Sequence, residues 1–461
     1  MRSSLKTFAL AMVLVGLLGW FTSVQSKSAG NVVVLEGARL IDGTGAPPRE
    51  NSAVVIDGDH LDSIGTAGKM HYPKGARIID VRGRTIVPSL INSHGHLGVV
   101  LGTGQSPNAY TRENVQNSVL QYEQYGVTSV LVLGLNRDLV YELRDEQKKG
   151  AFTGATIFTA GRGIGVPGAA PPVPVAADQV YRPSTADEAR AQVREMAGHH
   201  VDMIKIWVDD VYGRFSKMQP EVYAAVIDEA HKQGLRVAAH VFYLADAKAL
   251  VADGVDVLAH SVRDQKVDPE LIQDMKSRGV FYIPTLTVDE SFYVFAEQPE
   301  IMNNAFFKQA VSPDQLKMFQ SPEYRAKAEN DPNLAKNKAA HTTAMQNLKL
   351  LQDAGIKVAF GTDSGAFPTR VPAWAEHREL EMMVDSGLSP MQAIPAATSV
   401  SAALFHAGDR GTLAPGKRAD LIVLAANPLE DTHNTRQMVT IWHGGHELQP
   451  RVPAAKLQSA K

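Results

Sequence analysis

Six side chains of metal-binding type stand at or near the ends of apolar segments in this chain: His94, His96, Lys205, His240, His260 and Asp363. His94-Gly95-His96 closes the segment TIVPSLINSHGH. Residues two apart in a strand point to one face, so both imidazoles can grip a single ion. His240 ends RVAAH, His260 ends VDVLAH, and Asp363 ends KVAFGTD. Taken singly, each has an ordinary explanation: a satisfied core histidine, or an aspartate at a turn or helix cap. Lys205 lies inside the apolar DMIKIWV, where a lysine is seldom buried without a partner. Either its amine snorkels to the strand end, or it is desolvated, neutral and able to capture carbon dioxide as a carbamate. That N6-carboxylysine would be an anionic ligand with two oxygens, able to bridge two ions. Together the six donors suit two divalent ions, Zn²⁺ first, with Mn²⁺, Co²⁺ or Fe²⁺ as alternatives. Metal coordination brings the pKa of water from about 15.7 to roughly 7, creating a nucleophile at neutral pH. Asp363 could accept a proton from that water and deliver it to a leaving amine.

Such a set needs a scaffold that brings five strand ends together. Apolar strands are expected at TIVPSLINSH, VTSVLVLG, ATIFTAG, VDMIKIWVDD, LRVAAHV, VDVLAHS, VFYIPTLT and IKVAFGTDS. Helical patterns alternate with them, among them PEVYAAVIDEAHKQG and PELIQDMKSRG, both ending in Gly as a helix C-cap would. Eight such repeats argue for an α/β fold of the (β/α)8 TIM-like barrel type over residues 86–405. An open doubly wound sheet is the competitor, but no Gly-rich dinucleotide fingerprint follows any strand. β-branched runs with Asp-Gly and Gly turns fill residues 27–85, and RADLIVLAANP and VTIWHGG repeat the style within 406–461. A small β-sandwich domain built from both termini is the expectation. Two insertions, 161–183 (Gly/Pro-rich) and 288–340 (polar, helical), follow the third and seventh strands. Both leave the carboxyl ends, where barrel enzymes carry their chemistry.

Composition limits the function classes. The 461 residues are 44% hydrophobic and 21% charged, with a formal net charge of −3 and no long basic run. A large core is allowed, and nucleic acid is a poor candidate partner. With no cysteine, disulfides, thiolate nucleophiles, Cys-zinc sites and a lipid-anchored cysteine are excluded. Arg2 and Lys6, then the uncharged TFALAMVLVGLLGWF, then Val24 and Ser26 read as a signal peptide over residues 1–26. An uncleaved anchor is the alternative. The expected location is secreted or periplasmic, with no membrane contact in the mature form. A homo-oligomer is compatible with all of this.

The six donors, GARLIDGTG near the start and GTLAPGKRADLIVLAANPLED near the end resemble the amidohydrolase superfamily, in its binuclear, carboxylated-lysine type. The resemblance spans nearly the whole chain after the leader. Within that superfamily it is strongest to the imidazolonepropionase-like and Xaa-Pro dipeptidase-like group. It implies His94, His96 and Asp363 on one ion, His240 and His260 on the other, and carboxylated Lys205 with a hydroxide between them. It also implies hydrolysis of the amide bond of a small carboxylate-bearing substrate, such as a dipeptide or N-acyl amino acid. A cyclic-amide hydrolase or deaminase, a lactone or ester hydrolase, and a non-catalytic binding protein are the alternatives. The chain departs from the pattern at Asn92, where relatives often carry Asp, and at Val166-Pro167-Gly168-Ala169, where many carry Gly-Gly-His. Tyr243 and Arg162 are the expected holders of a substrate carboxylate. Asp209, Asp210, Tyr212 and Arg214, just past the fourth strand, are weaker candidates.

Overall fold

The computed structural model describes residues 32–458, so the expected signal peptide lies outside the described residues. The two ends of the chain meet in one hydrogen-bonded sheet. Val32–Leu40, Arg49–Asp57, His60–Thr66, Arg77–Asp80 and Thr85–Pro88 supply its first part, and Leu421–Leu424, Met438–His443 and His446–Leu448 the rest. The join is antiparallel pairing of Leu421–Leu424 with Thr85–Pro88, which in turn runs parallel to the end of Val32–Leu40. That first strand branches, pairing Arg77–Asp80 along its earlier half. These strands are hydrogen-bonded as a single branched eight-stranded ladder. Leu35, Leu40, Val54, Ile86, Leu421 and Trp442 form the apolar cluster on one side of it.

Between these ends run eight parallel strands in sequential order: Leu90–Gly95, Val127–Val132, Thr156–Thr159, Ile204–Trp207, Val237–His240, Val257–Ala259, Phe281–Ile283 and Lys357–Val358. Most are buried on both faces, which is why they read as unbroken apolar runs and not as alternating ones. Regular pairing groups the first three strands and the last five into two sheets. Isolated parallel bridges Ile164↔Ile206 and Gly95↔Ser364 join the two sheets at their seams. At the first seam Ile164 N donates to Lys205 O at 2.8 Å, and at the second Ser93 N donates to Phe360 O at 2.9 Å. The arrangement is α/β and TIM-like, with a ladder that is not continuous at those two seams.

Helices lie between the strands as the periodicity predicts. Pro269–Arg278 shows why: Asp268 accepts from Leu271 N, Pro fills the first turn, and Gly279 closes the helix at φ +70°. The insertion after the seventh strand folds into short helices, including Thr287–Glu290, Val294–Glu297, Ala305–Ala310 and Pro313–Gln320. Phe295 holds it together, its ring 4.5 Å from that of Phe319 and 5.3 Å from that of Trp374. The Gly/Pro-rich insertion has almost no regular structure. Arg182 organises it by donating to the carbonyls of Val166, Ala169, Ala170 and Pro171. Among the described residues, no helix is long and apolar enough to cross a membrane.

Candidate metal centre and substrate cavity

The strand ends deliver the six side chains to one place. His94, His96, Lys205, His260 and Asp363 are all at most 5% exposed, so none is an ordinary surface group. His96 Nε2 lies 2.8 Å and His94 Nε2 3.3 Å from Asp363 Oδ1. Lys205 Nζ is 3.4 Å from His94 Nε2. The His94 and His260 rings are 4.5 Å apart, and those of His260 and His240 4.3 Å apart. His260 and Asp363 hold left-handed backbone angles, φ +78° and +56°, uncommon for residues with a side chain. Strain of about 1–3 kcal/mol per residue persists where the surroundings over-determine a conformation, as at functional sites.

The donor chemistry fits divalent ions. His94, His260 and Asp363 each place a ligand atom within 4.8 Å of the others. Nδ1 of His94, His96 and His240 is buried and has no hydrogen-bond partner among the described residues. Burial, and for His94 the Lys205 charge, pushes the pKa of His94 well down; burial and the neighbouring His240 do the same for His260. Those rings therefore stay neutral and keep a lone pair for a metal. Burial also brings the Lys205 amine down to about 7, far from a surface lysine. Burial works to raise the Asp363 carboxyl, but Arg370, His96 and His94 outweigh it and hold it well below the usual carboxylate range. Asp209 behaves alike at about 2: burial raises it, and His240, with Nε2 at 2.6 Å, pulls it down.

Outward from the cluster lies a cavity of about 180 Å³ with a largely apolar lining. Its walls come from the two insertions, which contribute Ala170, Pro171, Pro172 and Val173 on one side and Val288, Asp289 and Phe292 on the other. The weaker candidates scatter. Asp209 and Tyr212 line the cavity, with the Tyr212 hydroxyl donating to Asn337 at 2.9 Å, whereas Arg214 sits against the Phe215 ring.

The two expected carboxylate holders sit elsewhere and are otherwise engaged. Arg162 makes a forked contact to Asp138, covers the Tyr181 ring, and lines a separate recess. Tyr243 donates to Asp210 at 2.8 Å and is absent from the cavity lining. Both follow strand ends in sequence, but their local partners turn them aside. The cavity's own cations are Arg263 and Arg370, which the sequence reasoning missed. Arg370 lies seven residues past Asp363, in a turn, where no periodicity announces which way a side chain faces.

The Asn92 departure has a local explanation. Asn92 Nδ2 donates to Glu376 Oε1 at 2.8 Å and to Thr362 Oγ1 at 3.0 Å, while its Oδ1 accepts from His94 N at 2.9 Å. An amide can donate to the buried Glu376 carboxylate; an ionised aspartate cannot.

The sequence pattern of the amidohydrolase family matches residues 85–448. The chain belongs to the amidohydrolase family. This amidohydrolase is 24% identical over 467 aligned residues to an ochratoxinase of Aspergillus niger, covering 92% of this chain and 88% of that one. It is 24% identical over 405 residues to an imidazolonepropionase of Streptomyces griseus, covering 86% of this chain and 90% of that one. Among solved structures, a Xaa-Pro dipeptidase with bound methionine in its active site superposes with TM-score 0.71 at 25% identity, covering 91% of this chain and all of that one. The amidohydrolase is thus a metal-dependent hydrolase of carbon–nitrogen bonds.

Proposed function

We propose that this amidohydrolase cleaves the amide bond of a small substrate bearing a free carboxylate, such as a dipeptide or N-acyl amino acid. The observation that carries the reading is the convergence of four imidazoles, a buried lysine and a carboxylate, with His96, His240, His260 and Asp363 at the floor of one small, walled cavity and His94 and Lys205 directly behind them. His94, His96, His240, His260 and Asp363 would hold two divalent ions, most simply zinc, with Lys205 between them as its carbamate. The chemistry such ions supply when bound is activation of water and polarisation of a carbonyl.

The residues do the rest. Buried, neutral histidines keep the floor free of competing positive charge. Asp363, held ionised against its burial by Arg370, accepts one proton of the attacking water. It returns that proton to the amide nitrogen as the carbon–nitrogen bond breaks, so the amine leaves neutral; the water oxygen becomes one oxygen of the new acid, and its remaining proton passes to solvent as the carboxylate forms. The proline-lined and phenylalanine-lined walls exclude bulk water and limit substrate length. The ochratoxinase, imidazolonepropionase and Xaa-Pro dipeptidase named above support amide-type chemistry on this scaffold. The reading includes export, on the strength of the leader-like residues 1–26.

The test combines elemental analysis of protein grown in metal-supplemented medium with a mass-spectrometric screen of dipeptides and N-acyl amino acids. About two transition-metal ions per chain and chelator-sensitive hydrolysis are expected. Absence of bound metal, with hydrolysis surviving strong chelators, would overturn the reading.

A further inference from the structure

Arg370 is buried, only 7% exposed, and lines the cavity beside Asp363. Its guanidinium lies against two aromatic rings, with centroids 4.6 Å away at Phe367 and 5.7 Å away at Phe292. One Nη reaches Asp363 Oδ2, and Nε has no hydrogen-bond partner among the described residues. Five N–H donors in a rigid fork are thus only partly used, in an apolar setting where an unmet donor is costly. The other cavity cation is differently placed. Arg263 Nη1 donates to Ser261 O at 3.0 Å and Val241 O at 3.3 Å; its Nε, like that of Arg370, has no hydrogen-bond partner among the described residues, but it lies 3.2 Å from Asp289 Oδ2, away from Asp363.

The position of Arg370 is fixed by its own turn. Gly365 N donates to Arg370 O at 2.9 Å, and Arg370 N donates to Phe367 O at 3.0 Å. Gly365 permits this turn: its φ is +80°, and a Cβ there would lie 2.3 Å from His96 O. The turn therefore packs directly on the strand that carries the metal-binding histidines. A guanidinium anchored there stands over the reacting floor at a distance set by backbone, not by a flexible loop.

We infer that Arg370 is the residue that selects substrates with a carboxylate, gripping that group between the Phe367 and Phe292 rings with the donors Asp363 leaves free. The inference rests on the amide-hydrolase reading for the reaction, but not for the binding. A planar carboxylate matches the guanidinium fork, and the flanking rings keep water from competing with it. Arg263, already facing Asp289 and two carbonyls, supports the wall and does not serve as the anchor. Selection by charge follows: free acids enter with a gain that neutral amides and esters of the same shape lack.

The test compares free-acid and C-terminally amidated forms of each hydrolysed substrate in the metal-loaded parent, Arg370→Lys, Arg370→Gln, Arg162→Gln and Tyr243→Phe. Calorimetric binding of 3-phenylpropanoate and of neutral 3-phenylpropanamide is measured on the same proteins. In the parent, the ratio of kcat/KM for acid over amide should be roughly 100, about one or two charge-assisted hydrogen bonds' worth. Arg370→Gln should bring that ratio near one and weaken 3-phenylpropanoate to the level of its amide, at unchanged metal content. Arg370→Lys, which keeps charge and loses the fork, should fall between. Loss of selectivity in Arg162→Gln or Tyr243→Phe instead would overturn the assignment. So would equal losses on acid and amide accompanied by lost metal, the signature of a residue that only positions Asp363. If no amide is hydrolysed by any form, the reaction reading fails, while the carboxylate-over-amide binding difference still decides the role of Arg370.

Discussion

The floor of the cavity is made of side chains leaving parallel strands, and its walls of side chains carried by turns and short helices. On the floor, His94, His96, Lys205, His240, His260 and Asp363 leave five different strands or the bends just past them. On the walls, Arg370, Phe292 and Pro171 come from segments with no long regular element of their own. The floor is therefore fixed by ladders of backbone hydrogen bonds, and the walls by individual contacts such as Arg182 on four carbonyls. A scaffold of this kind holds its chemistry constant while its selectivity is free to change. Substitutions on the floor should damage every substrate alike, whereas those on the walls should discriminate between substrates.

The largest expected effect comes from Lys205→Ala. Removing the side chain takes away a lysine that is fully buried and 3.4 Å from His94 Nε2. Turnover on all substrates should fall by at least ~1,000-fold if, as proposed, Lys205 bridges the two ions as its carbamate. Short carboxylic acids added to the variant should restore part of it, since they replace the two oxygens of a carbamate. A structure of the active, metal-loaded parent with an unmodified Lys205 amine would rule out the carbamate.

Asp363→Asn comes next. Turnover should drop by ~100-fold or more, the lower end of general acid–base contributions, while the fold is kept. Steady-state kinetics alongside metal analysis provides the check. Near-parental turnover at unchanged metal content would leave Asp363 with a structural part only.

The contrast between floor and walls also explains what could be foreseen from sequence. Strand ends carry a two-residue period, so His94 and His96 announce themselves as a pair, and an apolar run makes Lys205 conspicuous. The eight parallel strands and their helices follow from apolar runs separated by capped helices, as at Asp268 and Gly279. The turn 365–370 carries no period, so the inward direction of Arg370 could not be read. Its only sequence signal is an arginine a few residues past a strand-end aspartate. The local partners of Arg162 and Tyr243 were equally unreadable: each follows a strand end, and Asp138 and Asp210 take up their donors. The branching of the terminal sheet was not legible, because Val32–Leu40 pairs different neighbours along its two halves, a tertiary choice that strand propensity does not encode.

A third substitution probes what lies beneath the floor. Asn92→Asp would set a second carboxylate beside Glu376, whose pKa is already raised by its burial. Stability should fall by about 3 kcal/mol, the scale for an uncompensated charge in a buried pair. Adding Glu376→Gln should return most of it, because the new amide can donate to the aspartate as Asn92 does to Glu376 now. Thermal unfolding of the single and double variants decides the matter, and a single variant as stable as the parent would show that the two groups share a proton or that water reaches them.

The smallest effects should come from Arg162→Gln and Tyr243→Phe. Arg162 is partly exposed and spends its guanidinium on Asp138, a carboxylate that is itself half in solvent. Exposed or half-exposed pairs of that kind contribute about 0–1 kcal/mol. Tyr243 gives its hydroxyl to Asp210 and its ring face to Lys217, whose Nζ lies 4.1 Å from the centroid. Removing the hydroxyl leaves that ring contact in place and frees an acceptor that borders solvent. Neither change reaches the cavity lining, so kcat/KM for carboxylate substrates should stay within about threefold of the parent, the change corresponding to less than one hydrogen bond. The outcome bears directly on how the walls work. If either variant lowers kcat/KM for free acids by tenfold or more while sparing amides, the group that anchors the carboxylate sits at the outer rim and must swing inward on binding. If both stay near the parent, selectivity resides in the turn that packs against His96, and substrate choice is set within a few residues of the chemistry itself.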